Sequence, residues 1–306
     1  MSTNFPFNSQ TFDFDIKNAY SLAQVSQLAY VHFEEDEETR KSFISQANEW
    51  GFKQVYFFNF NSVYEDSQGM ILADADKIIV GFRGTETSKI QDILTDLKLT
   101  QVKRLDGRVH KGFYSSFEDL WVSQIKIWNN EEEINQKTGI KYVLKDLLAE
   151  KKRPIFITGH SLGGAMAVLC AAACGIELRD LQLDLSLYTY GQPQVGDGDF
   201  TKTLSMNLKG MFRVVNNNDI VARIPIDITK MSQAIDYTHT GEFIYLDTEE
   251  KVHLKKLKWW ELKKDELLGR LEDIGKPGTD GVKDHDLGKY VSILKGALDN
   301  PSNIIN

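Results

Sequence analysis

Cysteine is nearly absent from this chain: 306 residues hold two, Cys170 and Cys174. That scarcity excludes a disulfide-stapled scaffold. The pair lies four residues apart in AMAVLCAAACG, on one face of an expected helix, and reads as two small buried hydrophobes. A metal site would need further ligands close by, and none is evident. Long apolar runs are also missing, since no uncharged stretch approaches the roughly 18 residues that span a bilayer. The opening residues MSTNFPFNSQTFDFD carry neither the basic start nor the apolar core of a secretory leader. These absences favour a cytoplasmic setting, with export by another route left open. Positive charge is in deficit, with 36 Lys and Arg against 44 Asp and Glu and a formal net charge of -8. A broad nucleic-acid surface is therefore not expected.

What is present is a chain long enough for a sizeable α/β core, with strands and helices alternating through its middle. Residues 17–31 place Leu22, Val25, Leu28 and Ala29 at helical spacing, and a second helix is expected over 35–50, its acidic residues in the first turns. FKQVYFFNF, MILADAD and KIIVGFRG read as strands, the last two joined by a hairpin at Ala75–Asp76. Two helices are expected over 112–129 and 133–149. The apolar strand IFITG follows Pro154 and leads into a helix over 163–174. LDLSLYTY, MFRVVNN and GEFIYLD are further strands. With no repeat and no low-complexity linker, one domain spanning 1–306 is expected, built on a mostly parallel sheet.

The stretch GHSLGGA at 159–165 carries the chemistry. A serine at the apex of a sharp strand-to-helix turn sits in strained backbone, and small neighbours are needed where strand and helix nearly touch. Gly159, Gly163 and Gly164 supply that room and present Ser161 as a nucleophile. The competing reading makes Ser161 only a helix N-cap. A phosphate loop is excluded, because the lysine and following Ser or Thr of that motif are missing. A serine nucleophile needs an imidazole base and a carboxylate behind it. His160 reads as packing, which leaves His239, His253 and His285 after the serine as candidate bases. Asp219, past the strand FRVVNN, is the candidate acid; its alternative role is a turn-forming residue after Asn216, Asn217 and Asn218.

In order along the chain, FRGT at 82–85 with IQDILTDL at 90–97, VHKGFY at 109–114, GHSLGGA, YGQPQVGD at 190–197, NNDIVARIP at 217–225 and DHDLGKY at 284–290 resemble the blocks of the class 3 lipases. The resemblance covers roughly 50–292. It implies an α/β-hydrolase fold with a lid helix over the site, Ser161 as nucleophile, Asp219 as acid and His285 as base. It implies Thr85 and the amide of Leu162 as the oxyanion hole, His239 outside the base role, His110 as a structural residue, and no cofactor or metal. Gln194 replaces a frequent arginine, and Ile93 stands where a lid tryptophan is usual.

Two amphipathic stretches complete the reading. In TSKIQDILTDLKL, Ile90, Ile93, Leu94 and Leu97 form one apolar face, either of a mobile lid or of a fixed surface helix, with Asp96 as an anchor. An inserted segment near 251–284 crowds Lys255, Lys256 and Lys258 around Trp259 and Trp260. It serves as cover for the sheet or as a peripheral contact with an anionic lipid surface. The expected activity is serine-dependent hydrolysis of a carboxylic ester, foremost a triacylglycerol or other lipid ester. The alternatives are a phospholipase A1, a feruloyl or aryl esterase, and a non-catalytic lipid-binding pseudohydrolase.

Overall fold

The computed structural model describes residues 5–33, 36–61, 66–85, 100–122, 126–129, 132–134, 139–224, 237–254 and 280–305. In chain order the strands are β1 (Gln54–Asn61), β2 (Asp66–Ala73), β3 (Ile78–Phe82), β4 (Gln101–Arg104), β5 (Gly107–His110), β6 (Lys126–Asn129) and β7 (Glu132–Ile134). They continue with β8 (Ile155–His160), β9 (Leu185–Tyr190), β10 (Gly210–Asn216), β11 (Glu242–Leu246), β12 (Val252–His253) and β13 (Ile304–Ile305). Eleven of them form one sheet in the order β13-β12-β11-β10-β9-β8-β3-β2-β1-β6-β7, and β4 with β5 forms a separate hairpin. The centre, β3-β8-β9-β10-β11, is parallel, while β2, β1, β6 and β7 extend one flank antiparallel.

Strand β8 shows why the centre is stable. Ile155 and Ile157 enter the hydrophobic cluster on one face and Phe156 the cluster on the other, all fully buried. The side-chain period of two thus feeds two cores at once, as a parallel strand covered on both faces requires. Each such burial contributes roughly 1.5–3 kcal/mol. The first core lies under α3 (Lys111–Val122), α4 (Ile140–Glu150), α5 (Leu162–Glu177) and α6 (Gly198–Asn207). The second lies under α1 (Ile16–Leu28), α2 (Glu37–Glu49) and α8 (Leu287–Asp299), which follows the short α7 (Asp280–Lys283). Asp15 and Asp36 start α1 and α2 by accepting backbone N–H groups two and three residues on, each at 2.7 Å. Leu22, Val25, Leu28 and Ala29 are all buried, as their spacing predicts. So are Cys170 and Cys174, side by side on α5 with free thiols.

Two helix expectations need correction. Helix α3 stops at Val122, and Lys126–Asn129 is strand β6, paired antiparallel with β1. Glu132–Ile134 is strand β7, and α4 begins only at Ile140. Without β6, the apolar strand β1, with Val55, Phe57 and Phe58 buried, would have one open edge; its pairing outweighs the local helical pattern. Trp128 of β6 also packs edge-on against Phe33 beneath the Arg40 guanidinium. The lid residues Ile90, Ile93, Leu94 and Leu97, with Asp96, lie outside the described residues. So do Lys255, Lys256, Lys258, Trp259 and Trp260. Among the described residues no helix is long and apolar enough to cross a membrane.

Candidate active site

Ser161 sits between β8 and α5 with φ 58° and ψ -129°, and its side chain makes no capping hydrogen bond. The N-cap reading therefore fails, because a cap serine sits in the extended region with its oxygen on a backbone N–H. The backbone strain is held by close packing around it. A side-chain carbon on Gly159 would lie 2.2 Å from the carbonyl oxygen of Gly163, so strand and helix cross with no space between them. Ser161 N–H is tied to the Tyr190 carbonyl at 3.0 Å, which fixes the turn to the end of β9. Leu162 opens α5, and its amide belongs to the first turn, where no intrahelical acceptor exists. The loop after β3 packs against this turn. A side-chain carbon on Gly84 would stand 3.2 Å from Ser161 Cβ, and Thr85 follows directly.

Asp219 and His285 meet beside the elbow, both at zero exposure. His285 Nδ1 lies 2.9 and 2.8 Å from the two Asp219 carboxylate oxygens. A carboxylate only accepts, so Nδ1 carries the proton and Nε2 is the bare acceptor. Nε2 is buried and makes no hydrogen bond among the described residues, Ser161 included. Such bonds are commonly long before substrate arrives and tighten in the complex. Gly191, at φ 56°, lets β9 turn away beside the pair: a side-chain carbon there would fall 2.5 Å from Asp219 Oδ2 and 2.8 Å from His285 Nδ1.

Several residues that sequence reasoning passed over hold this pair. Tyr290, on α8, donates its hydroxyl to Asp219 Oδ2 and accepts the N–H of Asn216 at 3.0 Å. Burial, reinforced by the Asp219 charge, pushes the Tyr290 phenol well above its usual pKa and keeps it a donor. Asp284 binds Asn217 Nδ2 at 2.8 Å and Asn218 N–H at 3.2 Å, while its carbonyl takes Asn216 Nδ2 at 2.9 Å. The asparagine run thus fastens the acid loop to the residue before His285. Asp219 Oδ1 also accepts the N–H of Val221 at 2.9 Å, so the turn-forming reading of Asp219 holds together with its contact to His285.

The other histidines lie elsewhere. His253 binds Asp247 at 2.6 Å on β12, and His110 Nδ1 accepts the N–H of Phe113 at 3.2 Å at the start of α3. Burial, and then the Arg213 charge, hold His239 well below its usual pKa. Of the three candidate bases, His285 is the one brought to Asp219. Arg83 anchors its loop by donating to Gln68 Oε1 at 2.8 Å. No group of three or more potential metal ligands occurs among the described residues.

His160 is fully enclosed, and burial, then the nearby His285 charge, hold its pKa well below that of a free imidazole. In the unfolded chain it takes a proton near pH 6.5. Between these two pKa values the unfolded state binds more protons, so stability is fully present above about pH 6.5 and falls as pH drops below it. The slope approaches about 1.4 kcal/mol per pH unit from this group. Urea unfolding at pH 7.5 and 5.5 should show a smaller acid loss in His160→Gln than in the natural chain. Equal losses would refute the neutral buried state.

A parallel sheet clad on both faces, with a strained serine turn at the carboxyl end of a central strand and an Asp–His pair from later loops, defines the α/β-hydrolase class. Residues 79–229, from β3 past the Asp219 loop, match the family described as lipase (class 3). The chain is 31% identical over 214 residues to the triacylglycerol lipase OBL1 of Arabidopsis thaliana, an alignment covering 61% of this chain and 40% of that protein. It is 26% identical over 261 residues to Phospholipase A1-IIalpha of Arabidopsis thaliana, covering 80% and 60%. Among solved structures, the lipase from Rhizopus microsporus var. chinensis superposes with a TM-score of 0.56 at 26% identity, over 81% of this chain and 80% of that one. The chain thus spans less than two thirds of the length of these two plant relatives.

Proposed function

We propose that the chain hydrolyses carboxylic esters of lipids through an acyl-enzyme, with Ser161 as nucleophile, His285 as general base and Asp219 as the orienting carboxylate. The observation that carries this reading is the buried Asp219–His285 pair, with Nε2 bare, beside a serine held at φ 58°. His285 Nε2 takes the Ser161 proton as the hydroxyl oxygen attacks the ester carbonyl. The resulting oxyanion is met by the amide of Leu162 and by the amide and hydroxyl of Thr85. His285 then gives the proton to the leaving alcohol, and a water molecule, deprotonated by the same nitrogen, releases the acid. Tyr290 and the Val221 amide hold the Asp219 carboxylate in place throughout.

Triacylglycerol is the foremost substrate, by analogy with the OBL1 relative. A phospholipase A1 reading is favoured by the second plant relative, which aligns over 80% of this chain. A panel decides between them: p-nitrophenyl butyrate, emulsified triolein, phosphatidylcholine vesicles and methyl ferulate. Release of p-nitrophenol, with triolein cleaved faster than phosphatidylcholine or ferulate, is the expected result. Faster cleavage of phosphatidylcholine would replace the triacylglycerol reading, and no turnover on any ester would leave a non-catalytic lipid binder.

A further inference from the structure

His160 precedes the proposed nucleophile, yet its side chain serves the other half of the site. Its Nε2 lies 2.8 Å from the backbone carbonyl oxygen of His285. The two imidazole rings pack against each other in a tilted arrangement, with centroids 4.4 Å apart and planes 30° from parallel. A carbonyl oxygen only accepts, so Nε2 of His160 carries a proton and donates it to this bond. Its Nδ1 lies 2.8 Å from the hydroxyl of Tyr30, just past the end of α1. In the neutral ring Nδ1 is bare, so the Tyr30 hydroxyl is the donor there. The Thr85 carbonyl, at 3.4 Å from the same hydroxyl, is the longer alternative.

We propose that His160 is a positioning residue for the His285 base, gripping its backbone carbonyl and backing its ring, with Tyr30 setting the tautomer that makes the grip possible. This rests on the ester-hydrolase reading above. Three contacts fix the base in complementary ways. Asp219 holds Nδ1 and so sets the rotation of the imidazole within its plane. The ring of His160 limits tilt out of that plane. The bond to the His285 carbonyl holds the main chain of the short connection between α7 and α8, from which the imidazole projects. Without the last two, the ring would keep its carboxylate and still swing Nε2 away from Ser161. A base displaced by a fraction of an ångström loses turnover while substrate affinity is untouched.

Tyr30 enters through its proton. Were Nδ1 of His160 protonated instead of Nε2, the ring would present a lone pair to the His285 carbonyl, and two acceptors would face each other. The Tyr30 hydroxyl selects against that tautomer by donating to Nδ1. The turn that follows the N-terminal helix thereby belongs to the machinery of a site more than a hundred residues further on, without touching substrate.

The test uses the whole chain and p-nitrophenyl butyrate, after turnover by the natural chain has been established. Tyr30→Phe removes one hydroxyl and keeps the ring, and His160→Leu removes both nitrogens. Each is expected to lower kcat about tenfold or more with KM within about twofold. His160→Gln, whose amide offers an acceptor and a donor at similar spacing, should recover much of the loss. In a double-mutant cycle, Tyr30→Phe should add little once His160 is Leu. Tyr188→Phe is the control. Its hydroxyl donates to the Asp13 carbonyl and accepts the Asp15 N–H at the other end of α1, far along the helix from His160. It should lower the thermal midpoint and leave kcat unchanged. Nitrogen-15 NMR of labelled histidine gives the second readout: the His160 signals should show a bare Nδ1 in the natural chain and a mixture of tautomers in Tyr30→Phe. An active natural chain with unchanged kcat in both Tyr30→Phe and His160→Leu would overturn the positioning role alone. So would a Tyr188→Phe variant as impaired as Tyr30→Phe, since the effect would then be loosening of α1. A natural chain inactive on every ester would overturn the hydrolase reading and this role with it.

Discussion

Ser161→Ala is expected to reduce kcat on p-nitrophenyl butyrate by several orders of magnitude, on the order of 10⁴ to 10⁶, with the fold intact. Losing the nucleophile leaves only oxyanion stabilisation and binding, which act on a reaction without a covalent path. The alanine keeps the strained φ of 58°, so stability should move little. Ser161→Gly separates strain from chemistry. Glycine accepts that backbone region without steric cost, and relief of such strain is worth roughly 1–3 kcal/mol. The glycine variant should therefore be as inactive as the alanine variant and yet melt at a higher temperature. Calorimetry and a single ester assay check both at once. Turnover within tenfold of the natural chain in Ser161→Ala would place the nucleophile elsewhere.

Much of this site was legible in the sequence, because the constraints on the elbow are local. Glycines must flank a serine wherever strand and helix cross at the distance seen between Gly159 and Gly163, so the pattern GHSLGGA states its own geometry. The pairing of Asp219 with His285 is a different matter. Sixty-six residues separate them, and no spacing rule distinguishes His285 from His239 or His253. The likeness of DHDLGKY to a family block was what singled it out. The supporting shell was less legible still. Asn216, Asn217 and Asp284 are residue types common in any turn, and Tyr290 and Tyr30 are ordinary aromatics until the fold brings them to Asp219 and His160. The signal available was the crowding of hydrogen-bonding residues on both sides of two expected turns.

The same distinction explains the fold. Strands at the parallel centre are apolar on both faces and read correctly from β8, β9 and β10 alone. The β6–β7 hairpin read as helix ends because its stability comes from closing the edge of β1, a contact that lies outside any local window. Helix α8 and strand β13 seal the second core and the opposite edge. Their places also follow from distant partners, α1 and β12, rather than from their own periodicity.

Asp219→Asn is expected to cost less stability than Asp219→Ala and to lower kcat by about 10³ to 10⁴. The reason lies in the donors around the carboxylate. The N–H of Val221 points at Oδ1 from 2.9 Å, so an asparagine must place its carbonyl oxygen there and its NH₂ group where Oδ2 stood. That NH₂ then faces His285 Nδ1 and the Tyr290 hydroxyl. Tyr290 accommodates it by turning its own proton away, because its oxygen also accepts. His285 Nδ1 lies 2.8 Å from that position and 2.9 Å from the retained oxygen, and it meets the NH₂ as an acceptor only in the other tautomer, with Nδ1 bare and the proton on Nε2. A protonated Nε2 has no lone pair for the Ser161 proton, so the base is disabled while the Val221 N–H keeps its acceptor. Asp219→Ala makes the contrast, for it orphans the Val221 N–H and the Tyr290 hydroxyl at a cost of about 1–3 kcal/mol for each buried group. Urea midpoints should therefore fall from the natural chain to Asp219→Asn and further to Asp219→Ala, while both variants lose turnover. If Asp219→Asn kept kcat within tenfold, the tautomer of His285 would not be set by this carboxylate, and another group would have to orient the base.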